Sequence, residues 1–136
     1  MKSLAFIPAR GGSKGLPNKN IKNLLGKPLI NYSIESAKTS SRIDHIVVST
    51  DCDEIAEITR ESGVEILCRP EAVSNDQSKT IDTLNFHYEF LKDYDIIVIL
   101  QPTSPLRVVE DINECLDKFK SNNFDAVWTV SPIDLK

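Results

Sequence analysis

Apolar and polar residues alternate along this chain with two different periods. Short apolar runs at residues 4–8, 46–49, 64–67, 96–100 and 126–130 predict buried strands, and four of the five are rich in β-branched residues. Between them the apolar positions fall three, four or seven apart: Ile30, Ile34 and Ala37; Ile55 and Ile58; Ile81, Leu84, Tyr88 and Leu91; Ile112, Leu116 and Phe119. Such spacing gathers each set onto one helix face. Asp53 and Glu54 open the second helix and Gly63 follows it, while Glu110 and Asp111 precede Lys118 and Lys120 in the last, as the helix dipole favours.

Strand and helix in regular alternation predict an α/β fold, a mostly parallel sheet with helices on both faces. Ligands of such sheets bind beyond the carboxyl ends of the strands. The segments that matter are therefore 9–27, 50–53, 68–79 and 101–108, together with the C-terminus. At 136 residues the chain is the size of one ordinary domain, and 40% hydrophobic against 26% charged residues is a globular composition. No apolar run approaches the roughly 20 residues of a membrane span, and the short run before Arg10 is no signal-peptide core, so a cytoplasmic protein is expected. Cys52, Cys68 and Cys115 are odd in number and widely spaced, which predicts reduced core cysteines, not a disulfide framework or a zinc site. His45 and His87 stand apart from any ligand cluster and predict structural or surface roles. Trp128, in an apolar run, is expected in the core, with a border of a substrate pocket as its other reading.

Charge changes the picture. The net charge is −4, yet residues 1–34 carry six cations (Lys2, Arg10, Lys14, Lys19, Lys22, Lys27) and no acid. An acidic protein with one cationic segment suits a small anionic ligand better than a nucleic acid, which calls for a broad basic face. The segment 9–27 is also about three times the usual length of a connection in an α/β unit. It opens Ala9-Arg10-Gly11-Gly12-Ser13-Lys14-Gly15-Leu16-Pro17-Asn18-Lys19-Asn20, three glycines among three cations. Glycines let backbone N–H groups approach an anion, and Arg and Lys add charge-assisted bonds to phosphate oxygens. This is chemistry for a polyphosphate. It is not a Walker A loop, since no glycine stands five residues before Gly26 and Pro28 follows Lys27, and no Gly-x-Gly-x-x-Gly is present.

The residues Ile7-Pro8-Ala9-Arg10-Gly11-Gly12-Ser13-Lys14-Gly15-Leu16-Pro17-Asn18-Lys19-Asn20, Val48-Ser49-Thr50-Asp51, Arg69-Pro70 and Leu100-Gln101-Pro102-Thr103-Ser104-Pro105-Leu106-Arg107 closely resemble the acylneuraminate cytidylyltransferase (CMP-sialic acid synthetase) family, in the same order along the whole chain. The resemblance implies a Rossmann-like nucleotidyltransferase fold whose C-terminal part lies beyond this chain. It implies an enzyme joining CTP to a nonulosonic, sialic-type acid to give a CMP-sugar and pyrophosphate. Arg10, Gly11, Ser13, Lys14, Lys19 and Asn20 would meet the triphosphate and ribose, with Arg10 and Lys19 as the catalytic cations. Arg69, Ser78 and Thr80 would line the nucleoside pocket. Gln101, Thr103 and Ser104 would face the sugar, with Arg107 holding their loop in shape and Pro102 and Pro105 stiffening it. Asp51 is read as the N-cap of the next helix. Mg²⁺ is the implied cofactor, held mainly by CTP phosphates and by residues beyond this chain, because no carboxylate pair stands in the loop after the fourth strand. The family further implies a homodimer of the full-length form, and the charge pattern and lack of a long apolar run predict no nucleic-acid or membrane partner. The alternatives are a CTP-binding module without turnover and a nucleotidyltransferase for another sugar.

Overall fold

The computed structural model describes residues 1–12, 15–16 and 18–132. Its first strand, β1 (Ser3–Pro8), is central, and Leu4 to Ile7 are fully buried because strands flank it and helices cover both its faces. After β1 come a 3₁₀ turn (Lys19–Ile21) and a small antiparallel hairpin of β2 (Asn23–Leu24) and β3 (Lys27–Pro28). Leu25 and Gly26 link its strands, both at positive φ (51° and 90°), the type I′ geometry that matches strand twist. The chain continues through α1 (Leu29–Thr39), β4 (His45–Thr50), α2 (Asp53–Glu61), β5 (Glu65–Cys68) and a 3₁₀ turn (Glu71–Val73). The remaining elements are α3 (Thr80–Phe86), α4 (Tyr88–Leu91), β6 (Ile96–Ile99) and α5 (Val109–Ser121).

The main sheet is four-stranded, in the order β5-β4-β1-β6, and every pairing is parallel. Alternation along the strands splits the core in two. Ala5 and Ile7 of β1 and Val48 of β4 face Ile30, Ile34 and Ala37 of α1, Ile55 of α2, and Ile112 and Leu116 of α5. Leu4, Phe6 and Val47 face the other way, onto Leu84 of α3, and Phe90 and Leu91 of α4. Helices therefore cover both faces, as the alternating pattern requires. The strand order reverses between β1 and β6, which marks the crevice above their carboxyl ends as the place for a ligand.

Three expectations are corrected. Residues 126–130 form no strand: the segment is irregular, and Trp128 is 82% exposed instead of buried. A β-prone run becomes a strand only when a neighbouring ladder satisfies its backbone, and among the described residues none pairs with it. The helix read through Ile81 and Leu91 is two, broken at His87, whose backbone leaves the helical region (φ −94°, ψ 14°). The cysteines are free but not fully buried: Cys68 is exposed, Cys115 is half-buried, and Cys52 is half-buried against the core. Among the described residues no helix is long and apolar enough to cross a membrane.

Candidate functional site

Parallel register brings the loops of the crevice together. Pro8 lies opposite Ser49, which sets Gly11 beside Cys52; Thr50 lies opposite Cys68, which sets Arg69 beside Asp51; Phe6 lies opposite Ile99, which sets Gln101 near Pro8. Single hydrogen bonds extend each ladder past its strand: Ala9 N–H to the Ser49 carbonyl (2.9 Å), Arg69 N–H to Thr50 (3.0 Å) and Leu100 N–H to Phe6 (3.0 Å). Along the top edge of the sheet the row thus reads Arg69, Asp51, Gly11, Gln101.

The loop after β1 is held at its root. A Cβ on Gly11 would come within 2.6 Å of the Cys52 Cβ, so only glycine lets the loop rest on the turn after β4. The Gly11 N–H donates to Asp51 Oδ1 at 2.9 Å, and the buried Asn20 amide donates to the Arg10 carbonyl at 3.0 Å. Asp51 is therefore not the N-cap it was expected to be. Cys52 stands at that position and makes no side-chain cap, and the carboxylate of Asp51 is turned to the glycine loop.

The cations differ in what they do. Lys2 lies over the Tyr94 ring (4.6 Å), and Lys27 over the Tyr32 ring (4.4 Å) with Glu35 as its ion-pair partner. Arg10, with about a quarter of its side chain exposed, meets Asp76 at 2.7 Å from the loop before α3. Lys19 is half-buried on the 3₁₀ turn and makes no ion pair among the described residues. Ser13 and Lys14, both expected on the triphosphate, lie outside the described residues.

Arg69 is a buried cation, only 8% exposed. One guanidinium nitrogen donates to the Val73 carbonyl and to Thr83 Oγ1, both at 2.8 Å, while Nε is buried with no partner among the described residues. Burial holds its pKa below the usual arginine value, Asp51 opposes that shift and Arg10 adds to it. Behind it the buried His87 Nε2 pairs with Ser49 Oγ at 2.8 Å, and burial, then the charge of Arg69, lowers the His87 pKa. His45 bonds Tyr94 and lies 2.8 Å from Glu65, so both histidines serve the fold.

Ser78 closes a polar turn, bonded to the Asn75 side chain at 3.1 Å, and Asp82 caps α3 by accepting the Lys79 N–H at 2.8 Å. That capped start places Thr80, whose Oγ1 accepts from Gln101 Nε2 at 3.4 Å across the crevice. Gln101, expected on the sugar, is thus joined to the expected nucleoside wall. Arg107 holds its loop: it donates to the Gln101 carbonyl (3.3 Å) and to Ser33 Oγ (3.5 Å). Pro102 is buried beneath that loop. Thr103 and Ser104 face elsewhere, into a cavity of about 840 Å³ between α5 and the segment carrying Trp128. The site residues unread in the sequence are Asp51 as a loop anchor and Asp76 as the Arg10 partner; both act across tens of residues, which no local spacing reveals.

Among the described residues no three His, Cys, Asp or Glu side chains are grouped to hold a metal, so they do not fit a protein cage for a divalent ion.

Known proteins show the same architecture. CMP:2-keto-3-deoxy-manno-octonic acid synthetase, solved with CTP, superposes with a TM-score of 0.78 over 90% of this chain and 49% of its own, at 24% identity, a likeness of fold. A cytidylyltransferase of Leptospira borgpetersenii gives 0.71 over 90% and 50%, at 26% identity. In sequence, the chain is 40% identical over 139 aligned positions to an N-acylneuraminate cytidylyltransferase of Streptococcus agalactiae, covering 98% of this chain and 33% of that one. It is 42% identical to a CMP-N,N'-diacetyllegionaminic acid synthase of Legionella pneumophila, covering all of this chain and 60% of that one. The chain therefore spans about a third of the first relative's length. With the Cytidylyltransferase family model matching residues 4–135, nearly the whole of it, the chain belongs to the cytidylyltransferase family.

Proposed function

We propose that this chain is the nucleotide-binding portion of an enzyme that joins CTP to a nonulosonic acid, giving a CMP-sugar and pyrophosphate. The observation that carries the reading is the gathering, at the carboxyl ends of the parallel strands, of a partly exposed cationic glycine loop, a buried arginine and the polar Thr80–Gln101 contact. The relatives named for N-acylneuraminate and legionaminic acid chemistry support the substrate class. In the reaction the anomeric oxygen of the sugar acid bonds to the α-phosphorus and the bond to the bridging oxygen breaks, releasing pyrophosphate. Transfers of this type need in-line positioning and neutralisation of phosphate charge. Arg10 and Lys19 supply positive charge to the phosphates, Arg69, Ser78 and Thr80 contain the nucleoside, and Gln101 borders the acceptor, with Thr103 and Ser104 on the adjoining cavity. Mg²⁺ in the reaction is part of this proposal, with its ligands outside the described residues. A cytoplasmic location and self-association belong to it too; Ile99, Leu106, Val108, Trp128 and Val130 are all exposed and apolar, which favours contact with a second copy.

Calorimetry with CTP and ATP tests the reading: CTP is expected to bind tighter, and equal or tighter ATP binding overturns it. A module that binds CTP without turnover is the second reading, favoured by the lack of a metal cage among the described residues. Metal-dependent pyrophosphate release from CTP and a sugar acid separates the two.

A further inference from the structure

The Arg10 carbonyl and the Gly11 N–H belong to one peptide plane, and the structure holds that plane at both ends. Asn20 Nδ2 donates to its oxygen at 3.0 Å, and Asp51 Oδ1 accepts from its N–H at 2.9 Å. Asn20 is buried, and the plane lies on the Cys52 side chain with no room for a Cβ at Gly11. A peptide next to glycine is otherwise free to rotate, since glycine accepts backbone angles that a Cβ forbids. Rotation would turn the Arg10 carbonyl, a partial negative charge, to where the N–H now stands.

We infer that Asp51 is a positioning residue for polyphosphate binding: with Asn20 it clamps the Arg10–Gly11 peptide and so fixes the entry of the glycine loop and the Cα from which Arg10 projects. The inference rests on the CTP reading proposed above. Asp51 suits the task because β4 ends beside β1 in parallel register, so the first residue past β4 reaches the loop without spanning any gap. The role uses the carboxylate as an acceptor. Its negative charge is not required by the clamp, and it opposes the approach of a triphosphate.

That separation of acceptor from charge supplies the test. Asp51→Asn keeps an acceptor oxygen and loses the charge; Asp51→Ala loses both. Binding of CTP and of cytidine to wild type and both variants is measured by NMR titration, with hydrogen exchange of the Gly11 amide read alongside. Asp51→Ala is expected to weaken CTP about tenfold, the scale of one charge-assisted hydrogen bond, and to leave cytidine unchanged. Asp51→Asn should bind CTP within about threefold of wild type, and its Gly11 amide should stay protected while that of Asp51→Ala is not. An Asp51→Ala variant that binds CTP as wild type does, or loses CTP and cytidine equally, overturns the inference alone. A Gly11 amide exchanging at open-chain rates in wild type overturns it without any variant. Wild type that binds no CTP overturns the functional reading, and the inference with it, before the variants are compared.

Discussion

Two arginines flank Asp51, and the fold treats them in opposite ways. Arg10 stands on the polar loop after β1, partly exposed, with an exposed carboxylate, Asp76, as its partner. Arg69 stands one residue past β5, buried, bonded to a backbone carbonyl and a threonine hydroxyl and to no carboxylate among the described residues. An exposed ion pair contributes little to stability, so Arg10 is free to change partners when an anion arrives. A buried cation cannot leave without orphaning its acceptors, so Arg69 belongs to the wall itself. One arginine is available to a ligand; the other is built into the fold.

That contrast breaks if substitutions at the two positions behave alike. The largest effect is expected at the two loop cations: under the proposed function, Arg10→Ala or Lys19→Ala should lower CMP-sugar formation by the complete enzyme about a hundredfold, the scale of losing one preorganised charge-stabilising donor, with unfolding free energy within about 0.5 kcal/mol of wild type. Kinetics and urea denaturation on the same preparations check it; a variant that keeps its turnover or unfolds removes the catalytic assignment. Arg69→Ala is expected to destabilise the chain by about 2 kcal/mol as the Val73 carbonyl and Thr83 hydroxyl lose their donor, read as a lower denaturation midpoint. A midpoint equal to that of Arg10→Ala would erase the distinction.

Gly11→Ala tests the ground beneath Arg10. With a Cβ 2.6 Å from that of Cys52, overpacking should cost roughly 1–3 kcal/mol and distort the loop, and Cys52→Gly in the same chain should relieve it. Failure of the second change to restore stability would show that the close approach is not the cause.

The wall beside Arg69 also predicts a pH response. Burial and Arg69 hold the His87 pKa below its ordinary 6.5, so below that pH the unfolded chain binds the proton more readily than the folded one. Stability should therefore fall as pH drops from about 6.5 and level off once folded His87 is itself protonated. His87→Gln should flatten that slope in denaturation series at several pH values; an unchanged slope assigns it elsewhere. Smallest of all, CTP affinity should weaken with added salt if, as proposed, the partly exposed cations Arg10 and Lys19 meet the triphosphate; an affinity indifferent to salt would count against that contact.

Much of this was legible in the residues. Apolar runs and three-to-four spacings located four of the main strands and the helix faces, because burial on a sheet or helix imposes its period directly on the sequence. The hairpin at Leu25-Gly26 was missed because leucine is an unusual residue at positive φ, and the break at His87 because the apolar period runs through it unbroken. At the candidate site, the cationic glycine loop announced itself by composition, whereas Arg69 was singled out only through the family resemblance of Arg69-Pro70.

What the sequence determined by itself were elements and a charge: local period and local composition are properties of neighbours along the chain. Which residues would share a crevice, that Asp51 would turn from its own helix to the Gly11 peptide, that Arg69 would be buried, and that 126–130 would lie unpaired were decided by tertiary structure. Each depends on parallel register or on a neighbouring backbone, and those are set only when strands distant in sequence come to lie side by side.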